Sequence, residues 1–439
     1  VGTIKKNIHT GKQPQPGMKP GKTGKFFNRI EKWCNEHRLT ILILILFVSA
    51  LFRIIYFIQL NRTDVMDNHR WSETDMSFFD QWAKRISGGD ILSDTAMHPI
   101  HGWTKVIANE YLRRHPDTLK VYKEQIGSDT IRNTPEKMLW NRWYGGKQFH
   151  QEPLYPYFVG LIYKLFGPEV RWIFFFQMIA GVLINLLVYL VTRRYFGDLA
   201  AVIAAFITVF FGPLLFNDLV LLRTTFTSFM AILLPYLFGI ASDKQKGLWW
   251  LIFGFICGLA FLLNAFFIVF LTGIIILMII TQRKQIRKLA LFMAAIIIGA
   301  AIALTPLICR NAAVGSSLVS TSSTGAISFI TENNDLFKSF IGWKFDSRQS
   351  VEIMEQSEGS LTKSIFPTLR THPDPWSYLS QVWEKFHAIF SWYEVANNTN
   401  FFFYRAIAPV LFIAFFTFLL LTPLALAGLA LSIVRKSIS

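Results

Sequence analysis

The sequence predicts an all-α, polytopic membrane protein, a bundle of about eight apolar helices with two long loops on one side. Three observations lead there. The chain of 439 residues is 52% hydrophobic, has a mean hydropathy of +0.37 and holds 42 Phe, more than a water-soluble core would hide. Its apolar residues form runs long enough to cross a hydrocarbon layer of about 30 Å. The short basic clusters between those runs fall on one side once each run is counted as a crossing. The net charge of +16 raises nucleic acid as a partner. The excess Lys and Arg sits in the N-terminal tail and the short loops, where it orients helices and meets anionic lipid, so nucleic acid is excluded. Cys34, Cys257 and Cys309 have neither metal-ligand spacing nor a disulfide pattern.

Taken in order, residues 1–25 are rich in Gly, Lys and Pro without apolar periodicity and read as a disordered basic tail, the first part of a cytoplasmic segment at 1–39. Residues 40–60 form the first span, long enough to be retained, with no signal-cleavage pattern after it. The next spans are expected at 171–192, 199–216, 223–241, 248–263, 265–281, 289–308 and 405–433. The run 248–281 is too long for one crossing at ~1.5 Å per residue, so it is split at Asn264. A transmembrane domain at 40–308 then contains a first loop, 61–170, and is followed by a second loop, 309–404, and a final segment, 405–439. Arg193 and Arg194, Lys244 and Lys246, Arg283, Lys284, Arg287 and Lys288, and Arg435 and Lys436 all fall on the side of the tail. That side is cytoplasmic by the positive-inside rule, which leaves both long loops outside the cell (inner) membrane.

Residues 154–167 (LYPYFVGLIYKLFG) break this parity if counted as a crossing. They are short and preceded by Pro153, so an interfacial helix is expected there. Residues 76–86 read the same way, with Phe79, Trp82, Ala83 and Ile86 on one face. Between them, residues 98–147, with Trp103, Trp140 and Trp143, form a folded cap.

The candidate chemistry lies in the first loop. Asp75 follows Thr74 at a helix start, where either residue can cap; its carboxylate can also serve as a general base for a hydroxyl. Asp80 is a supporting acid that also suits a solvated helix face, and Glu73 reads as solvated. Glu152 is either a loop acid satisfied by backbone amides or a group that orients sugar hydroxyls. His150 beside it is one polar residue and makes no metal site. Arg223 and Arg310 end spans on the outer side, against the usual charge bias. Each either snorkels to the interface or holds a lipid phosphate through charge-assisted hydrogen bonds, with Asn311 beside the second. Phosphate-loop, nucleophile-elbow and zinc-protease patterns do not occur in the sequence, so nucleotide hydrolysis is not expected.

Read together, these motifs resemble the GT-C superfamily of integral membrane glycosyltransferases. The likeness is to glycosyltransferase family 39, which includes protein mannosyltransferases and the aminoarabinose transferases of lipid A. The resemblance rests on DMSFFDQWA at 75–83, PLYPY…LFG at 153–167 and FFGPLLFNDLVLLRTT at 210–225. It continues through TPLICRNAAVGSS…STGAISFITENN at 305–334 and FSWYEVANNTNFFFYR at 390–405. It implies a GT-C-like helix bundle and a polyprenyl-phosphate-linked sugar as donor. It also implies an acceptor hydroxyl on protein, glycan or lipid and chemistry on the extracytoplasmic face. The implied base is Asp75, with Asp80 and Glu152 as further acids. His150, Arg223, Arg310, Asn311, Asn333 and Asn334 are the candidates for the donor phosphate or sugar. The implied cofactor is the lipid-linked sugar donor alone; a divalent metal is compatible with such chemistry, but no residue spacing indicates one. Two features depart from the pattern. Leu262, Leu263 and Asn264 stand where relatives often have Leu-Thr-Arg, and relatives commonly have more than about eight spans. The rival readings are a transporter of a lipid-linked sugar and a non-catalytic membrane subunit of the same fold.

Overall fold

The computed structural model describes residues 22–95, 97–127, 133–337, 346–391, 393–396 and 398–437. Apart from an isolated bridge between Phe211 and Phe416, the regular structure of these residues is helical. The tail expected at residues 1–21 lies outside them. At 22–25 the expectation is corrected, because α1 (Lys22–Glu36) already runs there as an amphipathic helix and leads into α2 (Arg38–Leu60).

The first loop carries a 3₁₀ turn (Asp64–Arg70), α3 (Asp75–Ser87), α4 (Gly102–Arg114), α5 (Pro116–Ile126), α6 (Pro135–Trp143) and α7 (Leu154–Phe166). There follow α8 (Val170–Phe196), α9 (Asp198–Val209), α10 (Gly212–Asn217), α11 (Thr224–Lys244), α12 (Gly247–Leu263), α13 (Phe267–Gln282) and α14 (Ile286–Val314). The second loop adds α15 (Gly325–Asn333), α16 (Ser347–Ser357), α17 (Leu361–Leu369) and α18 (Pro375–Ile389). The chain closes with α19 (Phe401–Ile407), α20 (Val410–Ile413) and α21 (Phe418–Ser437).

Among the described residues, four helices are long and apolar enough to cross a membrane: α2, α8, α11 and α14. α7, α9, α12, α13 and α21 are apolar but shorter. The division of residues 248–281 falls where expected, between Leu263 and Phe267. Two expected spans are corrected. The run 199–216 divides into α9 and α10, and 405–433 divides into α19, α20 and α21. Pro213 in the first turn of α10 and Pro409 before α20 cannot donate backbone hydrogen bonds to a continuous helix. The break before α10 pairs with the one between α20 and α21: Gly212 N donates to Phe416 O at 3.3 Å, and Phe416 N to Phe210 O at 3.0 Å. Only glycine fits at 212, because a Cβ there would lie 2.7 Å from Ala414 O. Broken backbone among apolar helices persists where protein pairs it in this way.

The bundle packs through small residues. A Cβ on Gly254 would sit 2.2 Å from Ile296 O, and one on Gly299 2.1 Å from Leu251 O, so α12 and α14 touch backbone to backbone. Where the long loops join the bundle, a second core gathers Tyr56 and Leu60 of α2, Phe79 and Trp82 of α3, Tyr155 and Tyr163 of α7, Phe216 of α10, and Tyr404 of α19. The two loops also share a core. Ile107, Trp140 and Trp143 of the first pack with Ile327, Ile330, Val351 and Met354 of the second, so the cap is built jointly.

Candidate functional site

The site begins at the N-terminus of α3. Thr74 caps the helix, its Oγ1 accepting from Ser77 N at 3.3 Å. Asp75 occupies the first turn, where backbone N–H groups have no partner within the helix. Its own N–H donates to Asn398 Oδ1 at 2.7 Å, and Asn398 Nδ2 returns a bond to Asp75 Oδ2 at 3.0 Å. Gln151 Nε2 donates to the other carboxylate oxygen at 2.9 Å. Two neutral amides therefore fix the carboxylate's orientation, and Asp75 stays partly exposed. The helix that presents it lies against α7, which Gly160 makes possible: a Cβ there would be 2.8 Å from Ile86 Cγ2.

The residue after Gln151 faces a cation. Glu152 is 7% exposed and ion-paired with Arg223, and its Oε1 accepts from Ala265 N at 3.2 Å. Arg223, with a quarter of its side chain still exposed, also approaches Leu263 O at 3.4 Å. The turn that carries Arg223 is fixed from below by Gln177 of α8. Its Nε2 donates to Asp218 O at 3.0 Å and Val220 O at 2.9 Å, while its Oε1 accepts from Tyr155 at 2.7 Å. A buried ion pair holds the same turn: Arg53 Nε of α2 lies 2.8 Å from Asp218 Oδ2. Ser49 and Thr225 complete it, and Gly181 leaves it room. A carbonyl-saturated amide and a closed ion pair are costly to disturb, so they make a rigid floor.

The other sequence candidates lie elsewhere. Asp80 is 5% exposed, with Lys84 Nζ at 2.6 Å and the Tyr163 hydroxyl at 2.8 Å, and it ties α3 to α7. It is not the solvated face that its sequence position allows. Glu73 accepts from Gly102 N at 2.9 Å and so caps α4. His150 is buried among Phe78, Tyr144 and His98, and burial pushes its ring well below the ordinary histidine range, leaving it neutral. Its Nδ1 has no hydrogen-bond partner among the described residues.

Arg310 turns into the cap. Its guanidinium donates to Leu92 O and Lys147 O at 2.8 Å, to Ser93 O at 2.6 Å and to Asn311 Oδ1 at 3.0 Å, and stacks on Phe149 at 3.9 Å. Four of its five donors are thereby spent on the protein. These contacts turn its guanidinium into the protein. Asn311 Nδ2 gathers the carbonyls of Ser317, Leu318 and Ser320, which shapes the start of the second loop. Asn333 receives Lys385 Nζ at 2.9 Å, and Asn334 O receives Gln381 Nε2 at 2.6 Å, so both fasten α18 to α15.

Sequence reasoning missed Gln151, Asn398, Gln177 and the pair Arg53–Asp218. Arg53 carried a signal, as a lone cation within an apolar run. Asn398 lay inside a stretch already singled out and Gln151 between His150 and Glu152, but neutral amides carry no charge to mark them.

Apolar helices with a carboxylate and an arginine ion-paired at one end, beneath folded loops, mark a polytopic membrane protein with a polar cluster at that end. Residues 150–309, a little over a third of the chain, match the family model described as dolichyl-phosphate-mannose-protein mannosyltransferase. The match bears out the GT-C resemblance over those residues and supports an integral membrane glycosyltransferase of that type. It takes in His150, Glu152 and Arg223 and leaves Asp75 before its start. No curated protein and no solved structure matches the chain.

Proposed function

We propose that this protein transfers one sugar from a polyprenyl-phosphate-linked donor to an acceptor hydroxyl on the extracytoplasmic face. The observation that carries the reading is the dipeptide Gln151-Glu152. Gln151 holds the Asp75 carboxylate and Glu152 holds Arg223, so one short stretch joins an acid and a cation into one site. In the reaction the acceptor oxygen attacks the anomeric carbon, and its proton passes to Asp75. The bond from that carbon to the phosphate oxygen breaks, and the electron pair leaves with the polyprenyl phosphate. Arg223 sits at the exposed end of its ion pair and stabilises the negative charge that grows on the leaving phosphate. Gln151 and Asn398 are positioning residues, which keep a carboxylate oxygen aimed at the acceptor.

Arg310, Asn311, Asn333 and Asn334 then shape the cap and leave the donor phosphate to Arg223. The pair Arg53–Asp218 is the kind of intramembrane charge a transporter would use. Its further bonds to Ser49 and Thr225 favour a fixed strut under Arg223.

The test is transfer of labelled mannose from polyprenyl phosphomannose to a Ser/Thr peptide by the detergent-purified protein, with and without Asp75→Asn. Transfer that the substitution stops supports the reading. Transfer at an unchanged rate removes Asp75 from the chemistry, and movement of the intact lipid-linked sugar across vesicles without transfer favours the transporter.

A further inference from the structure

We propose that α1 is a membrane-surface helix that binds the anionic headgroups of the leaflet into which α2 inserts. Three stripes run along it, each at the i, i+4, i+7 spacing of one helix face. Phe27, Glu31 and Cys34 share one face; Glu31 and Cys34 turn it toward the protein, while Phe27 at its start is 58% exposed. Cys34 is 2% exposed, and Glu31 accepts from Asp198 N at 2.7 Å and Leu199 N at 2.8 Å, an anion on the N-terminus of α9. Asn35 adds a bond to Asp198 at 2.8 Å, and Gly197 gives the Glu31 carboxylate its approach, since a Cβ there would lie 2.7 Å away. The helix is thus fastened to the bundle at a fixed roll.

That roll leaves two stripes outward. Phe26, Ile30 and Trp33 form an apolar one, with Phe26 61% and Trp33 53% exposed. Lys25, Arg29 and Lys32 form a cationic one beside it, all exposed. Only His37 separates the helix from α2, so α1 is held where that apolar helix leaves the hydrocarbon. An apolar stripe edged by cations, at the boundary of a bilayer, matches the chemistry of anionic lipid: rings among the upper acyl chains and ammonium and guanidinium groups at the phosphates.

The experiment uses the full chain, with its native cysteines replaced, reconstituted into phosphatidylcholine vesicles with or without phosphatidylglycerol. A fluorophore is placed on Phe26→Cys, Trp33→Cys, Asn28→Cys or Glu36→Cys, and quenching by lipids brominated high on the acyl chain is measured. Labels at 26 and 33 are expected to be quenched several-fold more than those at 28 and 36. The excess should grow with phosphatidylglycerol, fall with salt and vanish in Lys25→Gln/Arg29→Gln/Lys32→Gln. Equal quenching at all four positions would overturn the proposal. So would quenching that ignores lipid charge, or cross-linking of Trp33→Cys between two copies in place of quenching.

Discussion

Arg223 and Arg310 stand in the same relation to the sequence, each a cation at the loop-bearing end of an apolar helix. Their surroundings differ in kind. Arg310 meets three backbone carbonyls and a side-chain amide, all neutral, within a folded cap. Arg223 meets a carboxylate and keeps part of its side chain exposed beside Asp75's amide clamp. A guanidinium whose donors are spent on carbonyls acts as a latch, because leaving them strands buried acceptors. A guanidinium paired with a carboxylate and still partly exposed can exchange partners with another anion. Where the donors go, and not the residue type, distinguishes the two arginines.

The largest effect is expected at Asp75, the acid linked to Arg223 through Gln151-Glu152. Asp75→Asn should lower sugar transfer by about 10²–10⁴-fold, with little change in thermal unfolding in detergent. Unfolding at a much lower temperature would instead make Asp75 a structural cap. Next in size, Arg310→Leu should cost on the order of 3–5 kcal/mol of stability, since it leaves the carbonyls of Leu92, Ser93 and Lys147 unpaired in the cap. Denaturant or thermal unfolding of the purified variant reads this directly. A well-folded Arg310→Leu with poor donor binding would reverse the assignment of the two arginines. Arg223→Gln should reduce transfer by roughly 10–100-fold, an electrostatic loss of about 1.4–2.8 kcal/mol. Because Glu152 loses its partner, unfolding should also move to lower temperature, so the rate is read per folded protein; an intact rate would remove Arg223 from the donor site.

The smallest effect belongs to Asn398→Ala. It should slow transfer about fivefold to tenfold, through kcat and not through the acceptor KM. It should add little slowing to Asp75→Asn. Hydrogen exchange at the Asp75 amide should quicken at the same time, because Asn398 is the partner of that N–H. Unchanged exchange there would dissolve the clamp irrespective of any transfer measurement.

The sequence located the acid that begins α3 and the Glu152 that follows Gln151, because a carboxylate beside an apolar run stands out against its background. It also marked the cap through its tryptophans and the turn at Asn264 through the length of an apolar run. It divided the helices wrongly at 199–216 and 405–433, because hydropathy does not report that two backbone breaks can pair with each other.

What the sequence determined by itself was the solvent of each segment: apolar runs, basic flanks and polar loops follow from transfer free energies summed locally along the chain. It could not determine which polar atoms meet. Asp75 and Asn398 are 323 positions apart, and Arg310 reaches carbonyls 217 positions or so before it. Those pairings come from loops that fold onto one another. Hydrogen bonding is short-ranged and directional, so the partners of each arginine were decided only by the tertiary structure.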